Sequence, residues 1–245
     1  MTRRRLAERP PAPTVDPGQT EDAVPVLRRD AARNRNKILA AARAAFDEEG
    51  VDVGVESIAQ RAGVGIGTLY RRFPTKELLI EAVVDEVLHA VLSAAEAALE
   101  DGTPTTGLAD FLRAVGWLQF EHAGCLNRLW SSGHDDVRSQ IEAAIRTLVT
   151  QAQSAGAVRP ELVYEDVIVL FWSLRGVIEA TSTVSPDAWL RHLDLLLSAL
   201  APDGDLLEHP PLTAKEVVQA KAVVAQRSRQ VQHRPHLYGV DRATR

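Results

Sequence analysis

Residues 58–78 read IAQRAGVGIGTLYRRFPTKEL, and this stretch decides the fold. Apolar residues recur at helical spacing on both sides of a glycine-rich turn at residues 63–65. Pro74 ends the second apolar segment, because proline lacks a backbone N–H and clashes with the preceding helical turn. Two short helices joined by a tight turn with a left-handed glycine are typical of a helix-turn-helix. The stretch predicts short helices over about 55–62 and 65–71, with Thr75 capping a longer helix.

The second short helix carries side chains that suit nucleic acid. Hydroxyl, phenol and guanidinium groups bind phosphate oxygens, and arginine also binds the N7 and O6 atoms of guanine. Lys76 lies in the first turn of the next helix, where the helix dipole also favours phosphate. The candidate DNA-binding residues are Ile66, Gly67, Thr68, Tyr70, Arg71, Arg72 and Lys76. A helical hairpin with a solvated charged face has the same spacing, so the pattern alone leaves both interpretations open.

Working outward, one helix signal follows another, and no run of alternating β-branched residues indicates a strand. The sequence therefore predicts an all-α fold. Asp30 is the expected N-cap of a first helix that ends at Gly50, and Ser185-Pro186-Asp187 is the expected start of a late helix. Thr213 and Glu216 have the spacing of a capping box. Further helices are expected near residues 76–100, 108–122, 125–132, 135–155, 161–181, 185–200 and 213–230.

The charge pattern divides the chain into four segments, although the net charge is −5. Residues 1–27 hold five prolines, which predicts a disordered arm. Residues 28–76 carry ten basic and six acidic side chains and form the predicted three-helix DNA-binding domain. Residues 77–208 carry seven basic and 21 acidic side chains and form the predicted C-terminal helical domain, and residues 209–245 are a basic extension with a short helix. This asymmetry suggests that one end meets a polyanion.

Composition excludes several other classes of protein. The apolar content of 45% and the charged content of 25% are ordinary for a globular chain, and no apolar run reaches the roughly 20 residues of a membrane span. The single cysteine, Cys125, excludes an internal disulfide and a Cys-rich zinc site. Glu86 and His89 form one Glu-x-x-His unit of the kind that di-iron bundle enzymes use, but a second unit is missing. We therefore expect a cytoplasmic protein that is not an enzyme and holds no metal or cofactor.

Residues 31–80 resemble the N-terminal DNA-binding domain of the TetR family of bacterial transcriptional regulators. The resemblance rests on Ile58-Ala59, Ala62-Gly63-Val64, Gly67-Thr68-Leu69-Tyr70, Phe73 and Lys76-Glu77-x-Leu79, all at that family's spacing. It implies that the helix near residues 65–71 is the recognition helix. Two positions depart from the family pattern, because Gly54 and Gly65 stand where the family often has a hydroxyl N-cap.

The resemblance also implies that the C-terminal helices bind a small-molecule effector and form a homodimer, through helices near 161–181 and 185–200. It implies a repressor that leaves double-stranded operator DNA when the effector binds. The candidate ligand pocket is the aromatic and polar set Trp117, Phe120, Trp130, Phe171, Trp172 and Arg175. Buried tryptophan is common, and any one of these aromatic side chains more often serves packing than ligand contact. The alternative function is a helical protein-interaction module without DNA binding, which would lack the steep salt dependence of phosphate contacts.

Overall fold

The computed structural model describes the backbone of residues 23–123 and 134–231, and the side chains of residues 32–123 and 134–224. Within these ranges the chain forms nine helices and no strand, which confirms the predicted all-α class. The helices are α1 Ala23–Glu49, α2 Val55–Ala62, α3 Ile66–Arg72, α4 Lys76–Glu100, α5 Gly107–Glu121, α6 Asp135–Ser154, α7 Tyr164–Thr181, α8 Ala188–Ala199 and α9 Ala214–Val231. The helix expected at residues 125–132 lies outside the described residues.

Two helix starts differ from the sequence prediction. α1 begins at Ala23, so Asp30 is an interior residue, and the end of the predicted arm at residues 1–27 is helical. Pro25 does not prevent this, because a proline in the first helical turn has no hydrogen bond to lose. α8 begins at Ala188, with Asp187 and not Ser185 as its N-cap. The Ser185 backbone is used in a turn instead, since its N–H donates to the Thr181 carbonyl over 2.7 Å.

The described apolar side chains form two separate buried clusters. The head core runs from Ile38 to Leu88 and joins α1, α2, α3 and the first half of α4. The body core runs from Ala95 to Val217 and joins the end of α4 to α5, α6, α7, α8 and α9. The sequence prediction divided the two domains at residue 76, whereas the two cores meet inside α4. One continuous helix therefore belongs to both.

The C-terminal extension is attached to the body by α9. Its capping box forms as the spacing predicts: the Thr213 N–H donates to Glu216 Oε2 over 2.8 Å, and the Glu216 N–H donates to Thr213 Oγ1 over 3.3 Å. Val217 then enters the body core with 2% of its surface exposed. The segment before α9 is held by Arg159, whose Nη2 donates to the Asp205 carbonyl over 2.7 Å.

Candidate DNA-binding surface and ligand cavity

The turn between α2 and α3 depends on one glycine. Gly63 has φ +65° and ψ +34°, a left-handed conformation that costs most residues free energy. The next N–H, of Val64, donates to the Ala59 carbonyl over 3.1 Å and closes the end of α2. Gly65 follows in an extended conformation as the N-cap of α3 and offers no side-chain hydrogen bond. The two helices thus have the predicted helix-turn-helix order.

The inner face of α3 fixes its orientation on the head. Leu69 is 1% exposed, and Phe73, just after the helix, is also buried. Both belong to the head core together with Ile38 and Phe46 of α1, and Val64 packs against that core from the turn. Because the buried side chains lie on one face, the others on this short helix point away from the core.

Six of the seven predicted DNA-binding residues lie on α3, and the seventh, Lys76, is the first residue of α4. Ile66 is 41% exposed and Tyr70 is 44% exposed, so both side chains are accessible to a partner. A Cβ added at Gly67 would meet no atom within 4 Å, so another backbone can approach closely there. The remaining predicted residues are exposed or half-buried, namely Thr68, Arg71, Arg72 and Lys76.

The cations near this surface fall into two groups. Arg61 of α2 is held by two carboxylates of α1: its Nη1 lies 2.6 Å from Glu48 Oε2, and its Nη2 pairs with Glu49. By contrast, in the part of the chain that the structure describes, no carboxylate forms an ion pair with the three cations around α3. These are Arg71, Arg72 and Lys76. They can therefore meet phosphate without first breaking an ion pair to a described carboxylate.

The body contains a cavity of about 330 Å³ that reaches the boundary between the two cores. A cavity of this size suits a small organic molecule. Two of its wall residues, Val87 and Leu88, also belong to the head core. The cavity is lined by Val87, Leu88, Val91, Val115, Leu118, Gln119, Asp135, Arg138, Ser139, Ile141, Glu142, Ile145, Tyr164, Ile168, Phe171, Trp172, Arg175 and Lys221.

The structure separates the six residues predicted for the ligand pocket. Phe171, Trp172 and Arg175 line the cavity. Trp117 and Phe120 do not, because their rings pack on Trp189, at centroid distances of 5.0 Å and 5.8 Å. Trp130 lies outside the described residues.

Most of the cavity lining was missed from the sequence because it comes from helices far apart in the chain. Only the α7 wall had a visible signal: Tyr164, Ile168, Phe171 and Arg175 recur at the spacing of one helical face. Lys221 was missed because the position of α9 over this wall depends on packing, and its Nζ lies 5.9 Å from the centre of the Tyr164 ring.

Charged groups gather at the Tyr164 end of the cavity. Burial raises the pKa of Tyr164 to about 12, so its hydroxyl stays protonated at neutral pH. Burial also lowers the pKa of Lys221. Arg146 lies over the Tyr164 ring, 4.5 Å from its centre, and Arg146 Nη2 donates to Glu142 Oε1 over 2.9 Å and to Glu165 Oε1 over 3.1 Å. The acidic groups at this end are therefore paired.

Arg175 and Gln119 are two cavity residues whose hydrogen bonding is incomplete. Arg175 Nε and Nη2 both donate to Glu179 Oε1, over 2.7 Å and 2.6 Å. Arg175 Nη1 is buried and has no hydrogen-bond partner. Gln119 Oε1 is likewise buried without a partner. A buried donor and a buried acceptor that lack partners are rare in folded proteins and call for an explanation.

The Glu-x-x-His unit of α4 serves ordinary surface contacts. Glu86 lies 3.7 Å from Arg43 Nη1, and His89 Nδ1 lies 2.8 Å from the Asp85 carbonyl oxygen. Among the described residues, no group of three or more His, Cys, Asp or Glu side chains is placed to hold a metal ion. None of the helices in the same part of the chain is long and apolar enough to span a membrane.

Comparison with protein families matches both parts of the chain. Residues 38–83 match the model described as bacterial regulatory proteins, tetR family. Residues 103–202 match the model described as the C-terminal domain of SbtR-like transcriptional regulators. A curated HTH-type transcriptional regulator of Staphylococcus aureus is 40% identical over 68 residues, which are 27% of this chain and 37% of that protein. The chain thus matches little more than a third of that curated relative's length.

Two solved structures are similar over most of the chain. The TetR transcriptional regulator SCO0520 of Streptomyces coelicolor is 35% identical with a TM-score of 0.52, over 69% of this chain and 99% of that one. The TetR regulatory protein of Mycobacterium vanbaalenii is 29% identical with a TM-score of 0.54, over 71% and 99%. These names describe regulators and not enzymes, so the di-iron enzyme considered from the sequence is set aside. The chain belongs to the TetR family of DNA-binding bacterial transcriptional regulators.

Proposed function

We propose that this protein is a homodimeric, cytoplasmic repressor that leaves its operator DNA when a small molecule binds in the body cavity. The observation that carries the proposal is the outer face of α3, where Arg71, Arg72 and Lys76 have no acidic partner among the described residues. Exposed cations beside an exposed phenol and hydroxyl suit phosphate binding, and family membership supports this use of the surface. Family membership also weighs against the alternative of a protein-interaction module without DNA binding.

The residues of this surface divide into two roles in the proposal. Thr68, Tyr70 and Lys76 bind phosphates and set the position of α3 in the major groove. Ile66 and Arg71 contact base edges, with Ile66 against a thymine methyl group and Arg71 against guanine. Gly67 allows close approach of the helix, and Arg72 adds charge beside these contacts.

The proposed dimer uses the outward faces of α7 and α8. Apolar residues on the inner face of α7, such as Val167 and Ile178, pack into the protomer's own body core. An apolar side chain remains exposed on each helix, Val169 at 40% on α7 and Leu195 at 58% on α8. Gly176 is exposed on α7, and an added Cβ there would meet nothing within 4 Å, so another helix can approach α7 closely at that point.

The ligand response in the proposal acts through α4. Val87 and Leu88 contribute both to the cavity wall and to the head core, and α4 begins at Lys76, beside α3. Two further contacts join head to body: His134 Nδ1 lies 3.0 Å from Asp85 Oδ1, and His122 lies 3.7 Å from Asp47. A ligand that prefers one α4 position shifts the population toward a recognition-helix spacing that no longer matches the operator.

The test is binding of the full chain to its own upstream promoter DNA, measured by fluorescence anisotropy at several salt concentrations. We expect tight binding at dimer stoichiometry with a steep salt dependence, of slope about −0.9 for each phosphate contact. Tyr70→Ala and Lys76→Ala should abolish specific binding, while Arg113→Ala serves as the control because Arg113 pairs with Asp110 on the surface of α5.

Three outcomes would contradict the proposal. Full affinity in both α3-surface variants would overturn the site assignment. Absence of specific DNA binding in a genome-wide selection, with the dimer and helical content intact, would favour the interaction module. Monomeric protein in the DNA complex would overturn the dimer.

A further inference from the structure

Arg175, which lines the cavity, has incomplete hydrogen bonding. A guanidinium carries five N–H donors in a fixed fork. Glu179 accepts at the Nε–Nη2 edge, which leaves the end formed by Nη1 and Nη2 without a complete set of acceptors. Arg175 is only 9% exposed, so water does not readily complete this set. The end of the fork has the geometry that binds both oxygens of a carboxylate.

The other lining residues restrict the rest of the ligand. Most of the wall is aliphatic or aromatic, from α4, α5, α6 and α7. The ionisable side chains of the lining other than Tyr164 are three bases, Arg138, Arg175 and Lys221, and two acids, Asp135 and Glu142. Asp135 pairs with Arg138, Glu142 pairs with Arg146, and Arg175 pairs with Glu179. Arg175 nevertheless keeps a buried nitrogen, Nη1, that lacks a hydrogen-bond partner, and an apolar molecule with one carboxylate fits this single position.

We propose that the effector is an apolar organic acid whose carboxylate binds the Nη1–Nη2 end of Arg175. Its apolar body lies along the wall formed by Val91, Val115, Ile168 and Phe171. A hydroxyl or amide N–H elsewhere on the ligand donates to Gln119 Oε1, the buried acceptor without a partner. The inference rests on the proposed ligand response, to which it adds the chemical class of the effector.

α9 takes part in this site although it lies beyond the matched family domain, which ends at residue 202. It contributes Lys221 to the lining and is anchored by Val217 in the body core. The extension therefore closes one side of the cavity and adds positive charge to it. Because α9 lies against the cavity, it forms part of the binding site.

The inference is tested on the free protein, without DNA, by isothermal titration with matched acid and alcohol probes. The pairs are octanoate with octanol and 3-phenylpropanoate with 3-phenylpropanol, which differ only in the charged end. In at least one pair the acid should bind about tenfold or more tightly than its alcohol, the ratio expected for one charge-assisted hydrogen-bonded pair. Equal or tighter binding of the alcohols, or binding of no probe at millimolar concentration, overturns the proposal.

Two variants test whether the carboxylate of the ligand binds to Arg175. Arg175→Gln should remove the preference for acids, whereas Arg113→Gln on the surface of the same domain should keep it. Glu179→Gln should strengthen acid binding several-fold, because Glu179 competes for the same guanidinium and is half exposed, at 52% of its side-chain surface. An unchanged or weakened acid affinity in Glu179→Gln overturns the proposal even if Arg175→Gln does not fold.

The two proposals fail in different ways. Loss of DNA binding with an intact acid preference would contradict the repressor function and leave the ligand class standing. Operator binding and release by a neutral or cationic compound, with no acid preference in the free protein, would contradict the ligand class alone.

Discussion

The α3 surface and the body cavity both use arginine, but in opposite physical settings. Arg71 and Arg72 are exposed, and no described carboxylate pairs with them. Arg175 is buried and takes Glu179 as a partner, as a charge removed from water requires. Exposed cations remain available for a polyanion at little cost to stability, whereas a buried cation is tied to the stability of the fold. Function and stability should therefore separate on α3 and remain coupled in the cavity.

The largest expected effect tests whether stability and DNA binding separate at two neighbouring residues of α3, Leu69 and Tyr70. Leu69→Ala should lower the free energy of unfolding by about 2–5 kcal/mol, because it removes a fully buried side chain from the head core. Tyr70→Ala should change it by less than about 0.5 kcal/mol, since the ring is 44% exposed, while DNA binding is lost. Urea unfolding and operator anisotropy on both variants measure the two effects. A large stability loss in Tyr70→Ala would show that the surface is structural.

A second prediction sharpens the comparison on the body side. A Cβ added at Gly116 of α5 would lie 2.7 Å from Trp189 Cζ3, in a position with no free space. Gly116→Ala should therefore destabilise the protein by about 1–3 kcal/mol through overpacking. Gly67→Ala of α3 is the control for stability, because its Cβ meets nothing within 4 Å, and it should stabilise α3 by up to about 1 kcal/mol. Thermal unfolding of both variants measures the two changes in stability. Equal changes would contradict the tight packing of Gly116 against Trp189.

The smallest expected effect concerns the missing hydroxyl cap of α3. Gly65 has φ −68° and ψ +145°, which serine adopts readily, and an added Cβ meets nothing within 4 Å. Gly65→Ser should stabilise the head by a few tenths of a kcal/mol and tighten operator binding, since the hydroxyl caps α3 and reaches phosphate. Gly65→Ala is the control, because it adds the Cβ without the hydroxyl and should destabilise. If the alanine variant tightens binding as much as serine does, the hydroxyl is not the cause.

The predicted elements were most accurate where local signals were dense. The bounds of α2 and the long run of α4 agree with prediction because Gly63 and Thr75 are recognisable caps, and Thr75 Oγ1 accepts from the Leu78 N–H over 3.2 Å. The start of α8 was misplaced because Ser185-Pro186-Asp187 serves as a turn as readily as a helix start. The start of α1 was misplaced because Asp30 is a favourable N-cap residue by type, whereas the helix already begins seven residues earlier, at Ala23.

The predicted recognition residues are all exposed or half-buried on α3 and at the start of α4, whereas the residues predicted for the ligand pocket do not all line one cavity. A seven-residue helix places its side chains by its own periodicity, so the outer face of α3 follows from the position of Leu69 alone. The direction in which Trp117 points depends on Trp189, a partner on another helix. No local pattern carries that information.

By itself, the sequence determined the all-α class, the helix-turn-helix with its left-handed Gly63, and the side chains that α3 presents to solvent. Each depends on residues within a few positions of one another, through caps, glycine conformation and helical periodicity. Tertiary structure alone decided that α4 joins two cores, that α9 covers the body, and that Arg175 and Gln119 line one cavity with incomplete hydrogen bonds. These depend on how helices distant in the chain pack against one another.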